Sequence, residues 1–233
     1  MKRAVFLYDF TGIMAKPWMD AGYECWCFDG QHEPGVTKDG LHVKVGMWFD
    51  AYKTKEQAAE IKELVGDADM VFGFPECTDM AVSGAAHFAK KRIANPEFQN
   101  EAASLSKLVE LVGNNLGCKW AAENPVSVLS TLWRKPNFNF HPHEYGGHLP
   151  EDDAHPLYPD YIKPRDAYPK KTCIWSGNGF IEPQRKPVHV EARFSDQYKK
   201  LGGKSLKTKN IRSATPRGFA KAVFLANHVT NSQ

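Results

Sequence analysis

Short uncharged apolar runs alternate with segments of helical period over the first third of the chain, the rhythm of βαβ units laid into a mostly parallel sheet. Arg3 to Tyr8 reads as a buried strand, Ile13 to Ala21 as a helix, and Tyr23 to Phe28 as a second strand ending at Asp29. Gln31 to Gly40 reads as a loop, His42 to Phe49 as a third strand and Lys53 to Leu64 as a helix. Met70 to Phe74, followed by Pro75, has the look of a central strand delivering a loop. Phe98, Leu105, Leu108, Val109 and Val112 recur at helical spacing within Glu97 to Asn114, and Lys119 to Ala122 forms a short strand into Glu123-Asn124-Pro125.

The 233 residues, 42% of them hydrophobic, suffice for one α/β domain or two small ones and exclude disorder and coiled coil. The first apolar run stops at Asp9, and no run approaches the roughly 18 residues of a membrane helix, so neither a span nor a secretory signal is expected. A formal charge of +3 is too weak a bias to identify a nucleic-acid partner, which must be argued from the site. Five cysteines, none in a CxxC pair, fit a reducing cytoplasmic setting rather than a disulfide framework or zinc ribbon. Between Lys135 and Lys170, seven prolines sit among four histidines and four tyrosines, and regular structure there should be sparse. Lys171 to Trp175 returns to a strand, Pro183 to Lys209 reads as a basic, exposed connection, and Thr215 to His228 as a terminal helix.

Three segments carry candidate chemistry. Cys77, in Phe74-Pro75-Glu76-Cys77-Thr78, falls just past a central strand, where α/β sheets present ligands and reactive groups. Its alternative is a buried structural thiol. Glu123-Asn124-Pro125 follows another apolar strand, so that Glu123 could exchange a proton with a heterocycle beside Cys77, or the segment could be a polar turn with a capping Asn. Tyr8-Asp9-Phe10-Thr11-Gly12 after the first strand and Asp29 after the second could meet a cofactor through backbone amides and a ribose-binding acid, although one glycine is a weak signal.

Taken in this order, the segments resemble the DNA cytosine-5 methyltransferases, and more closely the short phage-type members of that family. The resemblance extends through Ala81-Val82-Ser83-Gly84-Ala85, Glu123-Asn124-Pro125-Val126, Ser130-Thr131-Leu132-Trp133-Arg134-Lys135-Pro136 and Lys171-Thr172-Cys173-Ile174-Trp175, and covers most of the chain outside Gly147 to Pro169. It implies a Rossmann-like class I methyltransferase, a mostly parallel α/β sheet with helices on both faces, using S-adenosylmethionine as cofactor. It further implies a single domain over residues 1–233 with a Pro/Tyr/His-rich insertion at about 136–170 in place of a target-recognition domain, in the cytoplasm of a bacterium or phage-infected host cell.

By the same resemblance, Cys77 corresponds to the nucleophile that adds to carbon 6 of cytosine, Glu123 to the acid at ring nitrogen 3, Asn124 to the residue that holds that loop, and Lys171 to the basic group on the base-holding strand. Tyr8, Asp9, Phe10, Thr11, Gly12, Asp29, Asp50 and Pro75 make up the cofactor set, and Glu76, Thr78, Ser83 and Thr172 the substrate set, to which the basic, Tyr-rich composition of the insertion adds Lys163 and Arg165. Arg212 to Ala222 resembles the family's closing segment. The chemistry asks for these residue types independently, because carbon 5 of cytosine is a poor nucleophile until a thiolate adds at carbon 6, and a carboxyl near nitrogen 3 offsets the charge that develops in the ring.

The sequence departs from the family at Asp9 and Phe10, where small residues are usual, and at Glu76, where proline usually precedes the nucleophile. A neighbouring carboxylate raises a thiol pKa unless it points away or contacts the substrate amino group. With only the Pro-rich stretch in place of a recognition domain, sequence-specific duplex recognition is not expected. The expected reaction is methyl transfer to cytosine in DNA, and the alternatives are a free nucleotide such as dCMP as substrate or a catalytically silent nucleic-acid-binding homologue. His141, His143, His148 and His155 match no strong metal-ligand spacing, and no metal is expected. Tyr145, Tyr158, Tyr161 and Tyr168 with Lys163, Arg165, Lys170 and Lys171 could form a stacking, charge-neutralising lid over a nucleic-acid strand, or a loop packed by its own aromatics.

Overall fold

The computed structural model describes residues 1–191, 195–202 and 205–229. It is a mixed α/β protein built on a seven-stranded sheet. The elements that position the candidate site are β1 (Arg3–Leu7), α1 (Lys16–Asp20), β2 (Glu24–Asp39), β3 (His42–Gly46), α2 (Thr54–Val65), β4 (Met70–Gly73), α3 (Phe88–Ala94), α4 (Phe98–Leu116), β5 (Lys119–Pro125) and α5 (Leu129–Leu132). They are followed by β6 (Phe138–Phe140), β7 (Thr172–Gly177), α6 (Asp196–Lys200), α7 (Leu206–Ser213) and α8 (Arg217–Asn227). The strand order is β3-β2-β1-β4-β5-β7-β6. β1 pairs in parallel with both β2 and β4, β4 pairs in parallel with β5, and β7 returns antiparallel to β5. The order therefore reverses direction at β1, whose neighbours are the second and fourth strands, and such a switch point opens a crevice at the carboxyl ends of the strands.

The two faces of β1 reflect strand alternation. Val5 and Leu7 join Ile61 and Val65 of α2 and Leu108, Val109 and Val112 of α4 in one core, while Phe6 meets the buried Trp18 of α1 edge-on at 6.4 Å. Uncharged runs are legible as strands because β1 and β4 are buried on both faces. Two segments differ from the sequence expectation. Gln31 to Gly40 is not a free loop. Residues 25–29 run alongside His42 to Gly46, after which the chain folds back, so that Val36 lies opposite Val45 and Asp39 opposite His42. The exposed residues 33–39 carry no burial pattern and are ordered by backbone pairing, with Lys38 also paired to Glu24. The stretch after Cys77 carries no sequence signal of regular structure, yet Val82–His87 forms a 3₁₀ turn leading into α3, with no buried residue in either.

The chain divides into two compact units, one of residues 1–139, 172–180 and 227–233 and the other of 140–171 and 181–226. In the second unit the Pro-rich stretch contains only the 3₁₀ turns Pro142–His148 and Pro164–Asp166, as its prolines dictate. Its core is aromatic: Phe140 stacks on Phe219 at 4.0 Å, and Tyr145 meets Phe219 at 5.2 Å. Asp153 accepts the Arg165 amide at 2.7 Å and the Arg217 guanidinium, and Asp166 accepts the Gly218 amide at 2.8 Å. The connection expected over Pro183 to Lys209 contains α6 and the start of α7.

Gly113 of α4 faces β5, where an added Cβ would lie 2.5 Å from Cβ and 2.7 Å from Cγ of the buried Trp120. On an exposed helix, Gly→Ala stabilises by up to about 1 kcal/mol. Here the rigid indole leaves no room, and Gly113→Ala is expected to destabilise the protein by about 1–3 kcal/mol in urea unfolding. A stabilised variant would show that α4 and β5 do not pack as described.

Candidate functional site

Most candidate residues of the first unit follow the carboxyl ends of β1, the first run of β2, β3 and β4 or lie in the last part of β5, and Thr172 starts β7. Leu7 ends β1, and Tyr8 turns the chain with φ of 60°, a left-handed conformation unusual for an aromatic residue. Its amide donates to Phe28 O at 2.7 Å, its hydroxyl donates to Leu105 O of α4 at 2.9 Å, and its ring lies 4.5 Å from that of Phe49. Asp9 then folds inward. It is 3% exposed, and its Oδ1 accepts the Gly12 amide at 2.8 Å and the Thr11 hydroxyl at 3.2 Å. The turn thus closes on its own carboxyl, and the Gly12 amide is engaged within the protein. Gly12 has φ of 66°, and an added Cβ would lie 2.9 Å from Cε1 of His42, so both backbone and packing require glycine there. Phe10, partly exposed, packs on the His32 ring at 5.4 Å.

Asp29 closes the first run of β2, where its Oδ1 accepts the Gln31 amide at 2.8 Å. Beyond β3, Asp50 accepts the Tyr52 amide at 2.8 Å, and Gln57 of α2 holds this loop from both sides: its Nε2 donates to Trp48 O and its Oε1 accepts the Asp50 amide, each at 2.9 Å.

The loop after β4 and the end of β5 are joined three times. Asn124 is fully buried, and its Nδ2 donates to Pro75 O at 3.0 Å. The Val82 amide donates to Val126 O at 3.1 Å, and the Val128 amide donates to Met80 O at 3.0 Å. Glu123-Asn124-Pro125 is not a turn beyond the strand, as the sequence suggests, but the last part of β5, paired antiparallel with Ile174, Cys173 and Thr172 of β7. Asn124 therefore caps no helix and ties two loops together. The Cys77 loop is held from its other side by Lys91 of α3, whose Nζ donates to Thr78 O at 3.2 Å and pairs with Asp79.

All five cysteines remain thiols, and Cys77 alone among them is not buried. Burial pushes the thiols of Cys25, Cys27 and Cys118 up, that of Cys118 to about 12, which leaves them protonated at neutral pH. Glu76 is exposed, and its Oε1 accepts the Thr78 hydroxyl at 2.7 Å. A cavity of about 430 Å³ is lined by Phe49, Asp50, Tyr52, Glu76, Asp79, Phe98 and Glu101 among others, so aromatic faces and four carboxylates share one space. Such a lining suits an organic cation that carries an aromatic group. Sequence reasoning finds Asp50 and Glu76 but misses the aromatics and Glu101, whose partners are distant in sequence.

Ser83 is exposed on the 3₁₀ turn after Cys77, and Thr172 is buried at the start of β7. The remaining candidates belong to the second unit. Lys171 and Lys163 are exposed, Lys163 3.6 Å from Asp196, and Arg165 is half-buried with φ of 54°. Tyr145 and Tyr168 are buried, and Tyr158 stacks on His155 at 5.5 Å, so these rings serve packing within their own unit. Among the described residues, no group of three or more His, Cys, Asp or Glu side chains is arranged to hold a metal ion, and no helix is long and apolar enough to cross a membrane. No protein-family model matches the chain, and no curated protein is significantly similar to it.

Burial pushes the Asp9 carboxyl up to about 6, against the hydrogen bonds from Gly12 and Thr11, and Asp29 adds a smaller push in the same direction. The folded protein then holds this proton more tightly than the unfolded chain, so stability from this group is full below about pH 4 and is lost as pH rises to about 6. Asp9→Asn keeps an acceptor for Gly12 and removes the titration. It is expected to match the parent near pH 4 and to exceed it by roughly 2–3 kcal/mol at pH 7 in denaturant unfolding. An equal difference at both pH values would refute the buried-carboxyl account.

Proposed function

We propose that this chain is a Rossmann-like class I methyltransferase that transfers a methyl group from S-adenosylmethionine to carbon 5 of cytosine in DNA, through a covalent Cys77 adduct at carbon 6. The observation that carries this reading is the triple join between the Cys77 loop and the end of β5, led by the bond from Asn124 to Pro75 O, which ties the loop that carries the thiol to the strand that carries Glu123. The β3-β2-β1-β4-β5 order is that of a doubly wound nucleotide-binding sheet, which supports a cofactor at the switch point.

The Cys77 thiolate attacks carbon 6, forming an Sγ–C6 bond while the ring electron pair shifts toward carbon 5. The Glu123 carboxyl holds a proton at nitrogen 3 and offsets the developing charge. S-adenosylmethionine, when bound, would supply the electrophilic methyl carbon to carbon 5, the S–CH3 bond breaking to leave the thioether S-adenosylhomocysteine. Transfer of the carbon 5 proton to solvent water then expels the Cys77 thiolate and restores the aromatic ring. Asn124 keeps the Pro75 loop from drifting relative to β5 throughout. The lined cavity fits a sulfonium cation with its purine, since carboxylates at Asp50, Glu76, Asp79 and Glu101 attract the charge and Phe49 and Tyr52 offer aromatic surface. Asp29 is the ribose-binding acid in this reading.

Cys77→Ala is expected to abolish turnover while leaving cofactor affinity nearly unchanged, and DNA containing 5-fluorocytosine should trap a covalent adduct on Cys77 and on none of the other four cysteines. Labelled-methyl transfer compared between DNA and dCMP should favour DNA. Substantial transfer by the Cys77→Ala variant would end the covalent mechanism, and transfer to dCMP alone would move the substrate to the free nucleotide.

A further inference from the structure

The formal +3 of the chain conceals an uneven distribution of charge. From Gln197 to Gln233 there are eight lysines and arginines and no aspartate or glutamate, so the preceding 196 residues sum to −5. In the second unit part of this positive charge is gathered on α7, where Lys207, Lys209 and Arg212 are exposed while Thr208 and Ile211 are buried. Lys207 stands in the first turn, where the helix dipole disfavours a cation and no acid offsets it. Lys209 and Arg212 are three residues apart, a spacing at which like charges on a helix repel. Among the described residues, none of the three forms an ion pair. The basic surface continues beyond the helix. Lys170 donates to Arg212 O at 2.9 Å, and Arg212 donates to Leu201 O at 2.8 Å, so main-chain carbonyls hold both cations without neutralising them. Lys163 and Lys200 share the single carboxylate of Asp196, at 3.6 and 3.2 Å, and Lys207 lies 5.9 Å from the centre of the Tyr161 ring.

We infer that α7 and the cations around it form a docking surface for the sugar-phosphate backbone of a nucleic acid, held without regard to base sequence. Cations that repel one another and meet no carboxylate cost the folded unit stability, and phosphates spaced along a strand remove that cost while releasing their own counterions. Contacts to phosphate fix position and carry no sequence information, which suits a chain without a recognition domain. An anionic membrane is the other extended polyanion for such a helix, but a membrane-surface helix turns its apolar residues outward, whereas Ile211 is buried in the unit and Leu206 is the one exposed apolar residue of α7. Naming DNA as the strand rests on the methyltransferase reading; the surface itself does not.

The test is fluorescence anisotropy of the full chain with two labelled DNA duplexes of unrelated sequence across a salt series. The proteins are the parent, Lys207→Gln/Lys209→Gln, Lys207→Arg/Lys209→Arg and, to remove the same charge elsewhere, Lys53→Gln/Lys55→Gln at the start of α2. All four lysines are exposed, so every variant should keep the parent's unfolding temperature. The parent should bind both duplexes with equal affinity. The α7 glutamine variant is expected to lose roughly ten- to fifty-fold in affinity near 0.1 M salt, equally for both duplexes, and about two phosphate contacts from its salt slope. The arginine pair and the α2 pair should stay close to the parent. Parent-like affinity and slope in the α7 glutamine variant, or an equal loss in the α2 variant, would overturn the surface and leave the methyltransferase reading standing. If the α7 loss is seen but the parent transfers no labelled methyl group to either duplex, the surface is upheld and the methyltransferase reading falls. A parent that binds one duplex far better than the other, binds neither, or binds vesicles containing phosphatidylserine in place of DNA overturns the inference.

Discussion

Asn124 is a buried amide on which the site geometry depends. Its Nδ2 reaches across from β5 to the carbonyl of Pro75 at 3.0 Å, where no ladder bond of the sheet could reach, because β4 ends at Gly73. A buried carbonyl left without a donor costs about 1–3 kcal/mol, more than the bond contributes over water when made, so the loop is held in one position by the cost of leaving it. The β4–β5 register sets Gly73 opposite Ala122, one residue before Glu123. The sheet thus brings the two strand ends side by side, and the amide fixes the loop that leaves β4. The short pairing of Val82 with Val126 and of Val128 with Met80 carries the same constraint past Cys77.

Legibility in the sequence depends on which forces leave a one-dimensional trace. β1 and β4 are buried on both faces and appear as uncharged runs, and α4 buries one stripe and appears as a helical period. Cys77 and Glu123 are legible because strands of that kind end just before or beside them. The return run of β2 is not legible, since its exposed residues are ordered by backbone hydrogen bonds to β3, which no side-chain pattern records. Nor is the role of Gly12 evident. A glycine after a first strand invites a cofactor interpretation, but Gly12 is also required by the His42 ring and by a left-handed backbone, and its amide serves Asp9.

The second unit reaches stability by a different route. With α-helices excluded by proline from residues 140–171, the 3₁₀ turns of that stretch are stapled by polar side chains: Arg217 and the Arg165 amide on Asp153, Arg185 on Glu144 at 3.0 Å, and His148 Nε2 at 2.8 Å from Gln184 O. Arg165 and Asp166 both have positive φ, at 54° and 48°, a strain that the Asp153 and Gly218 contacts offset. Burial pushes the Asp166 carboxyl up to about 6 and the His155 imidazole down to about 4, so both resist charge in the folded unit. Composition alone could not separate a basic lid from a packed unit, because the same tyrosines and arginines serve either purpose.

Charge divides the work at the carboxyl ends of the strands. Around the cavity, Asp50, Glu76, Asp79 and Glu101 are met by aromatic rings, and the cation beside them, Lys91, is already paired with Asp79. A phosphate entering that space would meet several like charges, each costing about 4 kcal/mol at 4 Å in a surface-like dielectric before screening, whereas a sulfonium would gain from the same groups. The α3 helix points the other way: Lys90, Lys91 and Arg92 follow one another without an acid in the element. In the methyltransferase reading, the acidic cavity receives the cationic cofactor, and the phosphate-bearing substrate is steered away from it. Glu76 then belongs to the cofactor side. It is exposed and accepts the Thr78 hydroxyl, so its carboxyl is engaged within the loop and solvated, and solvent screens its field over short distances.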